Sequence, residues 1–220
     1  MSIWKVLNEV DDAGDVCECV ANTDHPIEKP VETRACAVEM EPDNVFVKNP
    51  SLSPSSSNFI KDVFLNDNWC LYFHDPNNED WSKESYINIA TVSTIQEYVQ
   101  LENVLKQNFH KGMFFLMREH VFPLWDDDYN VDGGAFAIKV LKSVADEFWI
   151  DTCMKVLGEV ISKDKQTNVI INGVSISPKK HFCIIKLWVA NTDFTDASVF
   201  NLHEQKYGDI IFKAHGSSTV

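Results

Sequence analysis

Residues 122–136, FPLWDDDYNVDGGAF, combine residue types that favour ligand binding over core packing. Trp125 is followed directly by three aspartates, Asp126, Asp127 and Asp128, and the stretch ends near a Gly-Gly pair. An indole offers a flat face with negative electrostatic potential, and a carboxylate beside it accepts hydrogen bonds. This pattern predicts a site for a flat ligand that carries positive charge or hydrogen-bond donors at its rim.

A second tryptophan stands in a comparable position. Trp81 ends the polar stretch HDPNNEDW, residues 74–81, which follows an apolar, strand-like run. If both loops leave a sheet at the same end, Trp81 and Trp125 form the opposite walls of a slot. The alternative is that each indole folds back and anchors its own loop, and spacing alone does not decide between the two.

The chemistry of such a slot favours one base. Stacking contributes about 1–3 kcal/mol per base–aromatic contact, and a desolvated cation over an indole about 2 kcal/mol or more. A carboxylate adds about 1.5–3 kcal/mol through charge-assisted hydrogen bonds. Guanine presents N1–H and N2–H₂ donors in line, and methylation at N7 gives its ring a positive charge. Two indoles and an aspartate therefore suit N7-methylguanine better than guanine.

The composition narrows the classes of function. The chain has 220 residues and a formal net charge of −14, which argues against general binding to the nucleic-acid backbone. There is no apolar run of the roughly 20 residues that span a bilayer, and the start MSIWKVLNEVDD lacks a signal-peptide pattern. We expect a cytoplasmic protein without membrane association, with nuclear access left open, that holds any nucleotide at a small specific site.

The cysteines indicate neither disulfides nor a metal site. Cys17 and Cys19 form a C-x-C pair with no second Cys/His pair at zinc-finger spacing. Cys70, Cys153 and Cys183 lie in apolar runs, where free thiols behave as small hydrophobic side chains. We predict reduced thiols, no metal and no cofactor.

The chain divides into a tail and one folded domain. In residues 1–58 acidic side chains outnumber basic ones by eleven to four, and SLSPSSS (51–57) is typical of a flexible linker. Residues 59–220 have the apolar patterning of a globular domain. The predicted strands are residues 69–74, 85–90, 112–118, 134–140, 168–176, 181–189 and 209–215. The predicted helices are residues 92–106, capped by Ser93 or Thr94, 143–162 and 196–207. This order indicates an α+β fold, an antiparallel sheet with about three helices on one face.

The sequence resembles the eukaryotic translation initiation factor 4E family, which binds the 5′ cap of mRNA. The matching stretches cover about residues 64–215. They are NW (68–69), EDW (79–81), FPLWDDDYNVDGGAF (122–136), EFWIDTCMKVLGE (147–159) and ISPKKHFCIIKLW (176–188). The resemblance implies a curved antiparallel sheet with helices on its convex face, a 7-methylguanosine slot on its concave face, and no catalytic activity.

The resemblance also implies roles for individual residues. Trp81 and Trp125 match the stacking tryptophans, Asp126 the acid that accepts from the guanine edge, and Trp188 the tryptophan near the N7-methyl group. The family usually has a glutamate where this chain has the shorter Asp126. For the cap phosphates the candidate cations are Lys179, Lys180 and Lys186, and the alternative for these lysines is a solvated turn.

On the convex face the resemblance implies binding of an amphipathic helix from a scaffold initiation factor or an inhibitory binding protein. The candidate contacts are Ile95, Val99, Ile150 and Met154. Family members normally carry a His-Pro-Leu entry and a helix tryptophan here, whereas this chain has VFL (63–65) and Val99. The apolar helix positions are equally compatible with two deeply buried helices.

Three functions follow as hypotheses. The first is a monomeric cap-binding protein that recruits mRNA to translation initiation through a scaffold. The second, suggested by the altered convex face, is a cap-binding repressor that recruits no scaffold. The third is a metal-dependent nucleotide hydrolase that uses Asp126, Asp127, Asp128 and His120. The third lacks a second acidic cluster, which such catalysis requires.

Overall fold

A computed structural model describes residues 61–202 and 209–216, together with Leu7. These residues form one seven-stranded sheet in the order β2-β1-β3-β5-β6-β4-β7, with every neighbouring pair antiparallel. The strands are β1 (Phe64–His74), β2 (Ile87–Thr94), β3 (Met113–Arg118), β4 (Gly134–Leu141), β5 (Ile171–Pro178), β6 (Phe182–Val189) and β7 (Ile210–Ala214). The curved antiparallel α+β sheet predicted from the sequence is confirmed.

Two α-helices lie within residues 61–202, α1 (Ile95–Leu105) and α2 (Lys142–Leu157). Short 3-10 helices span Lys83–Ser85, Gln166–Ile170 and Ala197–Val199. The third predicted helix, residues 196–207, is wrong in its first half. After the turn capped by Asp196, Phe200 is extended (φ −104, ψ 147) and its ring packs on Phe136, so the helix does not continue. Residues 203–208 of that prediction lie outside the described part.

The helix boundaries have local causes. Thr94 caps α1: its hydroxyl accepts from the Glu97 amide at 3.2 Å, and the Glu97 carboxylate accepts from the Thr94 amide at 3.0 Å. This reciprocal capping box satisfies two otherwise free donors, and it selects Thr94 rather than Ser93 as the cap. The second predicted helix, residues 143–162, is five residues too long at its end. It ends at Leu157 because Gly158 is its C-cap and Glu159 adopts a positive φ of 53.

Alternation along the strands separates two packed faces. In β1, Trp69, Leu71 and Phe73 belong to the core beneath α1 and α2, whereas Cys70 and Tyr72 join a smaller aromatic cluster on the opposite face. We call the helix-covered side the back face and the other the open face. Trp188 is the member of the open-face cluster contributed by β6.

The Gly-Gly pair between the Trp125 loop and β4 permits a close backbone crossing. A Cβ on Gly133 would lie 1.9 Å from the Val189 carbonyl oxygen, and one on Gly134 would lie 2.6 Å from the Phe212 ring. Gly133 also accepts a hydrogen bond from the His215 amide at 3.0 Å. These contacts bring the end of the Trp125 loop against β6 and the chain after β7.

Leu7 belongs to the same compact unit as the sheet. Its side chain is fully buried in the back-face core, and a Cβ on Gly112 would lie 3.2 Å from Leu7 Cδ2. At this position the stretch predicted as a tail contributes to the core. The tail prediction otherwise lies outside the described residues. Among the described helices, none has the length and apolarity to cross a bilayer.

We predict that Gly133→Ala lowers the free energy of unfolding by about 3 kcal/mol or more. The added methyl group meets backbone atoms, which cannot rotate away as a flexible side chain would. Chemical denaturation measures the change. Gly216→Ala is the matched control, because its Cβ would meet only the Val131 carbonyl at 4.0 Å. Equal stability of the two variants would contradict the close crossing.

Candidate functional site

A cavity of about 370 Å³ opens on the open face of the sheet, and both predicted loop tryptophans line it. We refer to this cavity as the slot. The lining residues come from β3, β5, β6 and three loops, and they are Trp81, Tyr86, Met113, Phe115, Pro123, Leu124, Trp125, Ser175, Ser177, Lys186, Trp188 and His215. Both indoles therefore border one cavity, and Trp81 in addition packs back onto His74.

Trp81 forms one wall and is supported from behind. Its side chain is 48% exposed, and its ring lies parallel to the His74 imidazole, with 4.2 Å between centroids and 4° between planes. His74 is the last residue of β1, so the sheet itself carries this support. One indole face is thus covered by protein while the side chain still borders the cavity.

Trp125 forms a second wall and is 57% exposed. Its loop is held by the buried Asn130, whose Nδ2 donates to the carbonyls of Phe122 at 2.9 Å and Leu124 at 2.8 Å. Asn172 in β5 donates from Nδ2 to Asn130 Oδ1 at 2.9 Å. These two amides tie the loop to the sheet. The sequence reasoning missed both, although an asparagine five residues after Trp125 within a turn-rich stretch was an available signal.

Asp126 lies at the rim rather than in the lining. Its side chain is exposed. The pKa of Tyr86 is raised first by the burial of Tyr86 itself and second by the negative charge of Asp126. Tyr86 lines the cavity and donates its hydroxyl to the Pro123 carbonyl at 3.3 Å. The carboxylate is therefore close to the aromatic cluster while remaining in solvent.

Trp188 is 6% exposed and fixed in orientation. Its Nε1–H donates to Ser175 Oγ on the neighbouring strand at 2.9 Å. The His215 ring tilts against it, with 4.9 Å between centroids. His215 Nδ1 is 2.8 Å from the Asn130 carbonyl, which can only accept, so Nδ1 carries the proton. Burial lowers the pKa of His215, with Lys186 adding to the effect, while the bond to Asn130 opposes it.

Lysines flank the cavity on the β6 side. Lys186 lines it, and its pKa is lowered first by burial and then by the positive charges of Lys213 and Lys179. Lys179 and Lys180 are exposed in the turn between β5 and β6. Lys213 is a candidate that the sequence reasoning missed, because only strand pairing places it here: Ala135 of β4 lies opposite both Trp188 and Lys213.

The predicted partner residues lie on the two back-face helices. Val99 is 37% exposed, while Ile95, Ile150 and Met154 are half-buried against the core. The preceding VFL stretch adds Val63 (56% exposed) and Phe64 (73% exposed). It is tied to α1, because the Ile95 amide donates to the Val63 carbonyl at 3.0 Å.

We define these six residues, Val63, Phe64, Ile95, Val99, Ile150 and Met154, as the partner patch. Neither of the two predictions for this face, an exposed partner-binding surface or two deeply buried helices, describes it fully. The helices bury their inner residues in the core, and the patch still offers Val63, Phe64 and Val99 to solvent.

The acidic run does not form a metal-binding group within the described residues. There, no three or more His, Cys, Asp or Glu side chains come together as a cation would require. His120 instead packs its ring against Tyr129 at 4.8 Å.

Comparison with protein families gives a match over most of the sheet. The model for eukaryotic initiation factor 4E matches residues 64–211. Translation initiation factor 4E of Eremothecium gossypii is 30% identical over 132 residues, which are 56% of this chain and 61% of that protein. The chain thus spans less than two thirds of that relative. The Saccharomyces cerevisiae factor 4E is 28% identical over 169 residues, 69% of this chain and 75% of that protein.

Solved structures share the fold. C. elegans eIF4E-3, in complex with the 4E-binding protein Mextli and a cap analog, aligns with a TM-score of 0.62 at 17% identity over 70% of this chain and 94% of that one. Ascaris suum eIF4E-3 with m7G cap aligns with a TM-score of 0.61 at 19% identity, over 73% of this chain and 95% of that one.

The matched region contains both walls of the cavity, the strand that carries Trp188 and the two back-face helices. Because the family model accounts for this continuous segment, the chain belongs to the eukaryotic initiation factor 4E family.

Proposed function

We propose that this protein binds the 7-methylguanosine 5′ cap of mRNA in the slot between Trp81 and Trp125. The observation that carries the proposal is the pair of half-exposed indoles bordering one cavity, since large aromatic side chains exposed in this way gain most from a flat ligand. A methylated, cationic base adds attraction to the indole faces. The Ascaris suum relative solved with m7G cap supports the same ligand class.

The remaining lining residues take complementary roles. Asp126 at the rim accepts from N1–H and N2–H₂ of the base, and Trp188 lies where the N7-methyl group is received. Because aspartate is one methylene shorter than the family's glutamate, the base sits nearer the Trp125 loop. The phosphates extend toward β6, where Lys186, Lys179 and Lys180, joined by Lys213, supply positive charge. The binding requires no catalytic step, metal or cofactor.

The partner patch serves the second half of the function. We propose that it receives an amphipathic helix of a scaffold initiation factor or an inhibitory binding protein, and that the protein acts as a cytoplasmic monomer recruiting mRNA to translation initiation. The exposed Val63, Phe64 and Val99 support helix-in-groove binding. The C. elegans relative solved with a 4E-binding protein supports this kind of partner.

A second candidate function is a cap-binding repressor. It is favoured by Val99, which offers less apolar area than the tryptophan normally found in the family at this helix position. A protein that holds the cap without recruiting a scaffold would lower translation of the bound message.

We predict that Trp81→Ala and Trp125→Ala each weaken binding of 7-methyl-GTP by roughly 10- to 100-fold, because each removes one stacking face. Titration of tryptophan fluorescence measures this, with plain GTP compared on the wild type. Phe194→Ala is the control, since Phe194 is exposed outside the slot. Equal affinity of the wild type for methylated and plain GTP would refute the proposal.

We predict that Lys186→Met raises the free energy of unfolding by about 0.5–2 kcal/mol and weakens 7-methyl-GTP binding while sparing 7-methylguanosine. The charged Lys186 is disfavoured by burial and by two neighbouring lysines. The pKa of Lys186 in the folded state is below its unfolded value of 10.5, so the unfavourable contribution of this one group to wild-type stability fades as the pH rises from its folded pKa to 10.5. The difference in the free energy of unfolding between Lys186→Met and the wild type should therefore shrink as the pH rises toward 10.5.

The control for this variant is Lys165→Met, which is exposed and outside the cavity lining, where the free energy of unfolding and both affinities should change little. Denaturant unfolding at two pH values and calorimetric titration with both ligands provide the measurements. A Lys186→Met protein that is less stable than wild type at neutral pH would contradict the electrostatic account.

We predict that a peptide of the form Tyr-x-x-x-x-Leu-φ, where φ is apolar, binds the wild type and that Val99→Asp weakens it about tenfold or more. A carboxylate in the patch would lose its hydration without gaining a partner. Val169→Asp, exposed on the Gln166–Ile170 turn, is the matched control. Cap binding without any peptide binding by the wild type would favour the repressor function.

A further inference from the structure

The residue behind Trp81 has no part in the functions above. His74 is fully buried, although it is a polar residue at the end of a strand. Its ring stacks on Trp81 at 4.2 Å with 4° between planes and also touches Tyr86 at 4.9 Å and 58°. His74 thus contacts two of the residues that line the slot without lining it itself.

A hydrogen bond fixes the same ring. His74 Nε2 lies 2.8 Å from the Asp80 carbonyl oxygen. A carbonyl only accepts, so Nε2 carries the proton and donates. Asp80 directly precedes Trp81, and its own carboxylate accepts from the Ser82 amide at 2.8 Å. The backbone is therefore tied down on both sides of Trp81.

The burial of an unpaired His74 nitrogen indicates why a histidine occupies this position. Within the described part of the chain, His74 Nδ1 has no hydrogen-bond partner although it is buried. An unpaired buried acceptor is unfavourable, and an apolar ring would avoid it. Imidazole combines a flat ring for Trp81 with a donor for the residue before it, which accounts for a histidine at this position.

We propose that His74 is a positioning residue that holds the Trp81 indole in its ligand-ready orientation before the cap arrives. The stack covers one indole face and leaves the other to the slot, so less side-chain freedom is lost on binding. This inference rests on the proposed function, because its effect on affinity presupposes that the slot binds the cap. The effect of His74 on the orientation of Trp81 in the ligand-free protein does not depend on cap binding.

Two substitutions separate the ring from the hydrogen bond. His74→Phe keeps the stack and removes the donor, whereas His74→Gln keeps an amide N–H near the Nε2 position and removes the ring. We expect His74→Gln to raise the Kd for 7-methyl-GTP about two- to tenfold with unchanged stoichiometry, and His74→Phe to stay within about twofold. Isothermal titration calorimetry resolves Kd from the binding-competent fraction. His110→Gln is the matched control, since His110 lies outside the slot and bonds to Asp146.

A ligand-free measurement tests the same idea independently. The indole Nε1–H signal of Trp81 in a ¹H–¹⁵N spectrum, assigned with Trp81→Phe, should shift and broaden in His74→Gln and keep its wild-type line width in His74→Phe. If the wild type binds no 7-methyl-GTP, the proposed cap function fails while this spectrum still reports on His74.

Three results would overturn the inference. The first is that His74→Gln has the same Kd and the same Trp81 indole signal as the wild type. Another is an equal loss of affinity in His74→Phe and His74→Gln, which would assign the effect to something other than the stack. The third is a His74→Gln protein with a lower melting temperature and binding-competent fraction but an unchanged Kd and indole signal, which would make His74 merely structural.

Discussion

Two indole rings kept half-exposed at one cavity are the constraint on which the rest of the open face depends. Apolar rings of this size tend to fold onto the protein surface, so each needs a rigid attachment to remain open. Trp81 has the His74 ring behind it, and the Trp125 loop is tied to the sheet by Asn130 and Asn172. Strand ends and buried amides, rather than the tryptophans themselves, set the geometry of the slot.

Electrostatics divide the same cavity into two halves. Asp126 stands at the rim beside the Tyr86 cluster, whereas Lys186, with Lys179 and Lys213, makes the β6 side positive. The charge of Lys186 is disfavoured in the ligand-free protein, because burial and like charges both act against it. A ligand with a cationic base at one end and phosphates at the other would match both halves. The positive β6 side is thus a local exception in a chain with a net charge of −14.

The back face shows how one pair of helices can serve both core and surface. α2 buries Trp149 and Cys153 in the core. Ile150 and Met154, which each follow one of these residues in the helix, remain half-buried at the surface. Val63 and Phe64 extend the apolar area beside α1. The sheet separates the two faces, so the slot proposed for the cap and the patch proposed for a partner lie on different surfaces.

Alternating and helical apolar patterns determined the strand segments, both helices and a cap at Ser93 or Thr94, because these depend on neighbours within a few residues. The sequence also singled out Trp81 and Trp125 as loop indoles, and the structure places both at one cavity together with Trp188 of β6, whereas Asp126 lies outside its lining. It did not predict the ends of the helices after Leu157 and Val199. Nor did it predict the contributions of His74, Asn130, Lys213 and His215. Those depend on strand pairing and loop closure between residues far apart in the chain, which only the tertiary structure decided.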